Sequence, residues 1–220
     1  MSISIKEKNN TMKKETKYSK LKQAYINNIL ISDMNLSDKF TEFEKSKLNE
    51  SETLLYEINN KPKLFKRYSR GQIVKVKFGV NIGSEFSGEH YAIVISKKDT
   101  MMNPVIHVIP ITSKKHNYNV KINNILYNEE KINKLNKILL HETNKHNIKE
   151  INNCIKYYNN RKNRNSYACI KHLKTISKLS VCKTMNKYDY INDLKVSKEI
   201  LRKIDEEIVK EYTVLQITKM

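Results

Sequence analysis

From Phe78 to Ser96 the chain reads FGVNIGSEFSGEHYAIVIS, and groups able to do chemistry crowd its first half. Two carboxylates, Glu85 and Glu89, stand close to an imidazole, His90. Gly79, Gly83 and Gly88 interleave with them, and Gly71, the fourth and last glycine of the protein, lies just upstream. Glycine admits backbone conformations that a Cβ forbids, so this is where the chain is built to turn tightly. An imidazole of ordinary pKa, about 6.5, takes or gives a proton near neutrality. A loop of this kind has the parts for proton transfer, provided that flanking elements hold it still.

The other reactive side chains form no comparable group. Cys154, Cys169 and Cys182 are widely spaced, with no CxxC or CxxH pair, so neither a zinc site nor a disulfide framework is expected. His107, His116, His141, His146 and His172 show no metal-ligand spacing and read as surface or core residues. No metal and no cofactor is expected. Net charge is +19, from 42 Lys+Arg against 23 Asp+Glu, which points to a polyanionic partner, nucleic acid above all. Free thiols fit a reducing cytosol. The N-terminal residues lack a continuous apolar stretch, and no run nears the ~18 apolar residues of a membrane span. The expected setting is therefore cytoplasmic, with no membrane partner.

Around the loop the periodicity changes twice. Residues 1–68 read as a helical extension: a polar, frayed start to residue 20, an apolar pattern over 21–34, and Ser37 as an N-cap. From Gln72 to Phe78 apolar residues alternate as in a half-buried strand. Tyr91–Ile95 is apolar on both faces and reads as a central strand. Val105–Ile109 follows, and Pro110, with no N–H, limits its pairing. A fourth strand is expected over Tyr118–Ile122. Residues 128–160 switch to helical spacing, a hairpin turning near Asn144–His146, and NNRKNRN (159–165) reads as a disordered basic bridge. Strands resume at Ser166–Ile170, Leu173–Ile176 and Ser180–Cys182, and Ser197 caps a last helix. The fold class is mainly β with helical extensions (α+β), with strands close enough in sequence for a small barrel over residues 69–220.

Four pieces in this order resemble the MazF/PemK toxins of bacterial toxin–antitoxin systems. They are Arg70-Gly71-Gln72-Ile73-Val74; Gly83-Ser84-Glu85 with Tyr91–Ile95 beyond it; Val108-Ile109-Pro110-Ile111-Thr112-Ser113; and Ser166–Ser177, with a helix after the last strand. They span about 71–122 and 166–210, leaving 1–68 and 128–165 outside. The resemblance implies an SH3-like barrel with a C-terminal helix, a homodimer, and metal-independent cleavage of single-stranded RNA at short sequences; the helical hairpin reads as an insertion into that barrel, at about 128–165. It also implies a cognate antitoxin whose peptide covers the RNA groove.

It further implies roles. His90 stands where the family has a catalytic arginine; unlike arginine, it can itself act as acid or base. Thr112 matches a catalytic threonine whose hydroxyl can bond a non-bridging phosphate oxygen. Glu85 matches the loop glutamate. It can orient His90, accept a hydrogen bond from a base edge, or cap the loop's own amides. Gly83, Ser84 and Gly88 shape a loop expected to close over one or two nucleotides, and Ser113, Lys114 and Lys115 are placed to meet the backbone phosphates. Tyr91, Tyr118 and Tyr167 flank the expected groove, where aromatic rings can stack unpaired bases. The same barrel also serves gyrase-binding toxins, which lack the Gly-Ser-Glu loop, and without the arginine an inert nucleic-acid-binding module is a further alternative.

Overall fold

The computed structural model describes residues 5–34, 36 and 38–213, with side chains from Ser19 onward except that of Asp38. Ser37, the expected N-cap, lies outside the described residues. By its contacts the chain divides into two units, residues 1–49 and 50–220. In the first, α1 (Ile5–Asp33) is a long helix that includes the stretch expected to fray, and α2 (Phe43–Asn60) begins. Leu21, Tyr25 and Leu30 of α1 are exposed, whereas Phe43 is buried.

The second unit is an antiparallel sheet with helices. Its strands are β1 (Ile73–Lys77), β2 (Glu89–Val94), β3 (Val105–Thr112), β4 (Val120–Asn123), β5 (Ser166–Ala168) and β6 (Lys174–Ser177). The order is β1-β2-β3-β5-β4, with β6 also on β3. The sheet stays open; a bridge between Val76 and Val181, beside a hydrogen bond from Cys182 N–H to the Lys75 carbonyl (2.8 Å), brings the chain after β6 back to β1. Four expectations on the strands change here. The stretch 180–182 forms no strand: Lys178–Ser180 is a 3-10 helix and Val181 makes only the isolated bridge to Val76. β2 starts at Glu89 rather than Tyr91, so His90 belongs to a strand. β3 runs through Pro110 to Thr112. The stretch expected as one strand over 166–170 ends at Ala168 and turns into a 3-10 helix, Ile170–His172.

Pro110 is accommodated because β3 changes partners there. Its first half pairs with β6 as far as Val108, and its end pairs with β5 from Ile111. The proline lies in the gap, where no ladder N–H is required, and its carbonyl accepts from Cys169 N–H at 2.9 Å.

Strand alternation splits the core in two. On one face Ile73, Ile93, Ile109, Ile111, Val120 and Ile122 pack against helices. These are α3 (Glu129–His141), α4 (Lys145–Asn159) and α5 (Lys198–Tyr212). Asn128 and Asn144 cap α3 and α4, and Ser197 caps α5 as expected. On the other face Val74, Val76, Ala92, Val94, Ile106, Val108 and Ile176 pack with Tyr68 and Phe78. The basic stretch after α4 is ordered rather than disordered: residues 160–164 close successive turn hydrogen bonds, and the Arg161 guanidinium sits 3.5 Å from the centroid of Tyr157.

One ion pair seals the second face at the far end of β6. Lys178 Nζ lies 2.8 Å from Asp99 Oδ1, their side chains 2 % and 0 % exposed. Asp99 Oδ2 accepts from Tyr68 N–H (2.8 Å), and Lys178 donates to the Thr100 carbonyl (2.8 Å). Every charge taken from water here has a close partner, as burial demands.

Candidate active site

The loop between β1 and β2 holds itself in shape. Asn81 reaches across it, its side-chain amide donating to the carbonyls of Phe78 (2.9 Å) and Phe86 (2.7 Å). Ser87 Oγ accepts from Asn81 N–H (3.0 Å) and donates to the Glu85 carbonyl (3.1 Å). Gly88 N–H donates to the Gly79 carbonyl at 2.7 Å. Gly88 has φ +87°, and a Cβ there would stand 3.6 Å from Nε2 of His90. A side chain at 88 would therefore strain the backbone, while its Cβ would make ordinary contact with the imidazole.

His90 is half-buried in β2 opposite Val76, on the face of the second cluster. Its ring packs against Phe86, centroids 4.5 Å apart. Burial pushes its pKa below the ordinary 6.5, partly offset by a hydrogen bond to the backbone of Ser87. Phe86 also meets His172, at 5.5 Å. Glu85 is exposed and its carboxylate lies 3.7 Å from Lys174 Nζ, at the start of β6. Beside the three roles open to Glu85, the geometry supplies a fourth: an ion pair that ties the loop to β6.

Thr112 ends β3. The last β2–β3 rung is Ala92–Pro110, so His90 and Thr112 each lie two residues beyond it on their own strands, and alternation puts both on the same face. Its partner in the ladder is Tyr167 of β5. Thr112 Oγ1 accepts from Lys114 N–H (3.1 Å), which leaves the hydroxyl proton free to be donated. Ser113, Lys114 and Lys115 follow as exposed residues, as do Gly83 and Ser84 in the loop. Farther along, His116 stacks on Tyr118 (5.3 Å), and Lys171 Nζ stands 5.0 Å above the Tyr118 ring.

The other two tyrosines are not groove residues. Tyr167 is buried in the sheet, and Tyr91 points to the opposite face from His90, hydroxyl to hydroxyl with Tyr157. Burial and that hydrogen bond raise the Tyr91 pKa. Nearby Lys75 and Glu89 form an ion pair at 2.7 Å. Among the described residues, no group of three or more His, Cys, Asp or Glu side chains gathers as a metal site would require. Sequence reasoning missed His172 and Lys174, which it had left as a filler and as part of a strand motif. Both join the loop only through the β3–β6 pairing, for which no local pattern exists.

Compared with known families, strands β1 to β4 and the loop fall inside one match. Residues 69–150 match the PemK-like, MazF-like toxins of type II toxin–antitoxin systems. This is the family that the four sequence pieces resemble. The toxin match differs in extent from the expected one: it continues through α3 into α4 and ends before β5. The chain is also similar to the crystal structure of MazF from Deinococcus radiodurans, at 11 % identity and a TM-score of 0.36, over 66 % of this chain and 96 % of that one. Among curated proteins no match is found. No helix among the described residues is long and apolar enough to cross a membrane.

Proposed function

We propose that the chain is a ribonuclease toxin that cleaves single-stranded RNA through the substrate's own 2′-hydroxyl. The observation that supports this best is the grouping of His90, Thr112 and the Glu85–Lys174 pair on one face of the sheet. His90, kept neutral by burial, takes the 2′ proton. The Thr112 hydroxyl donates to a non-bridging oxygen as charge builds on phosphorus. Lys114 and Lys115, with Ser113, meet the neighbouring phosphates, and the loop carrying Gly83, Ser84 and Gly88 closes over the nucleotide at the cut. The products are a 2′,3′-cyclic phosphate and a 5′-hydroxyl. Base, donor and positive charge all come from the chain's own side chains, so no metal is called for.

The same reading includes a homodimer, a small barrel, a cytoplasmic setting and a cognate antitoxin that covers the groove. It is tested by incubating the protein with a long mixed-sequence RNA in excess EDTA and mapping new 5′ ends. Discrete cuts bearing 5′-hydroxyls are expected. RNA that is bound in a salt-dependent way but left intact would instead favour an inert binding module, the reading that the missing arginine at position 90 keeps open.

A further inference from the structure

Transesterification at phosphorus needs two proton transfers, one from the 2′-hydroxyl and one to the departing 5′ oxygen. His90 accounts for the first, and a threonine hydroxyl is a weak acid for the second. His172 is the other imidazole against the loop. It packs on the same phenyl ring, Phe86, as His90 does, so the two imidazoles are no farther apart than those two ring contacts laid end to end. Its backbone is well fixed. His172 N–H donates to the Cys169 carbonyl (3.0 Å), Tyr212 of α5 donates to the Ile170 carbonyl (3.1 Å), and Lys171 pairs with Glu211 of α5 at 3.5 Å. His172 is half-exposed and lies beyond the residues matched by the toxin family.

We propose that His172 is the general acid that protonates the leaving 5′ oxygen, completing a two-histidine mechanism with His90 as base. The inference rests on the ribonuclease reading. In the step, the 2′ oxygen loses its proton to His90 and bonds to phosphorus. The phosphorus–5′-oxygen bond breaks, and its electron pair takes a proton from the His172 imidazolium. The pair then returns to its starting state by exchanging a proton with water. The groups facing His90 are Phe86, Ser87 and Gly88 of the loop and Val76 across the ladder. Those facing or flanking His172 are Phe86, Lys171 and Lys174, and Lys171 and Lys174 are held by Glu211 and Glu85.

The decisive experiment replaces the leaving oxygen. A site mapped on the mixed-sequence RNA is synthesised as an oligonucleotide in two forms, one with the normal 5′ oxygen and one with sulfur there. A thiolate leaves without a proton, so the need for an acid disappears. Parent, His172→Ala, His172→Gln and His90→Ala proteins are compared, with thermal melts to establish folding. Both His172 variants should cut the oxygen substrate about a hundredfold more slowly, yet cut the sulfur substrate at close to the parent rate, and lose the alkaline limb of the pH–rate profile. His90→Ala should be slow on both. His172 variants that cut the oxygen substrate within about threefold of the parent, or that are equally slow on both substrates, overturn the assignment while leaving the ribonuclease intact. A parent protein that cuts no RNA overturns the ribonuclease reading and this one with it.

Discussion

Two lysine–carboxylate pairs mark the two ends of β6, and they behave as opposites. Lys178–Asp99 is sealed, at 2.8 Å with almost no exposure, and each partner also bonds the backbone. Lys174–Glu85 is loose, at 3.7 Å with the side chains 42 % and 63 % exposed. Only three residues lie between the lysines. The sealed pair holds Tyr68 and the turn after β2 and is shut off from water, so no ligand can reach it. The loose pair is open to water and can exchange its partner for a ligand's charge. Among charged groups of one strand, burial thus separates those that hold the fold from those available for chemistry.

The sharpest test of that contrast is Lys178→Met, which leaves Asp99 charged and buried. A loss of about 3–5 kcal/mol in folding stability is expected, read as a large drop in Tm. A protein of unchanged Tm would end the distinction. His90→Ala should do the reverse, lowering cleavage by about 10²–10⁴-fold at nearly constant Tm. Thr112→Val, which keeps the shape and removes the donor, should cost about a hundredfold in rate.

The pH dependence sharpens the same contrast. The folded pKa of His90 lies below its unfolded value near 6.5. The rate should therefore rise with pH through a midpoint below 6.5, ahead of the alkaline limb that belongs to the general acid. The associated stability has the same sign: it is present above pH 6.5 and lost as the pH falls through the folded pKa. An acid limb above 6.5 would remove His90 as the base. The smallest effect belongs to Glu85→Gln, expected to change stability by less than about 1 kcal/mol, as exposed pairs do, while altering the salt dependence of RNA binding.

What could be read in advance followed local periodicity. The apolar run at Tyr91–Ile95 does form a central strand between β1 and β3, the hairpin turns near Asn144, and Ser197 caps α5. The loop glycines did mark left-handed backbone, with φ +57° at Gly83 and +87° at Gly88. Pro110 misled because its cost depends on which neighbour needs an N–H, and on the edge it faces β3 pairs with neither β6 nor β5 at that point, while Ala92 of β2 lies on the other edge. The 159–165 stretch misled because its basic composition hid turn hydrogen bonds and an arginine stacked on Tyr157. His172 and Lys174 were beyond reach, since their meeting with Phe86 and Glu85 is set by pairing across more than eighty residues of chain.

That separation has a consequence in time. The loop, β2 and Thr112 leave the ribosome well before Lys174 and His172, and β3 waits with half its hydrogen-bonding edges unfilled until β5 and β6 emerge. Non-local pairing of this kind folds slowly. On the proposed ribonuclease reading, a nascent chain surrounded by messenger and ribosomal RNA carries an incomplete site until most of its length has been made, and the order of synthesis itself delays its activity.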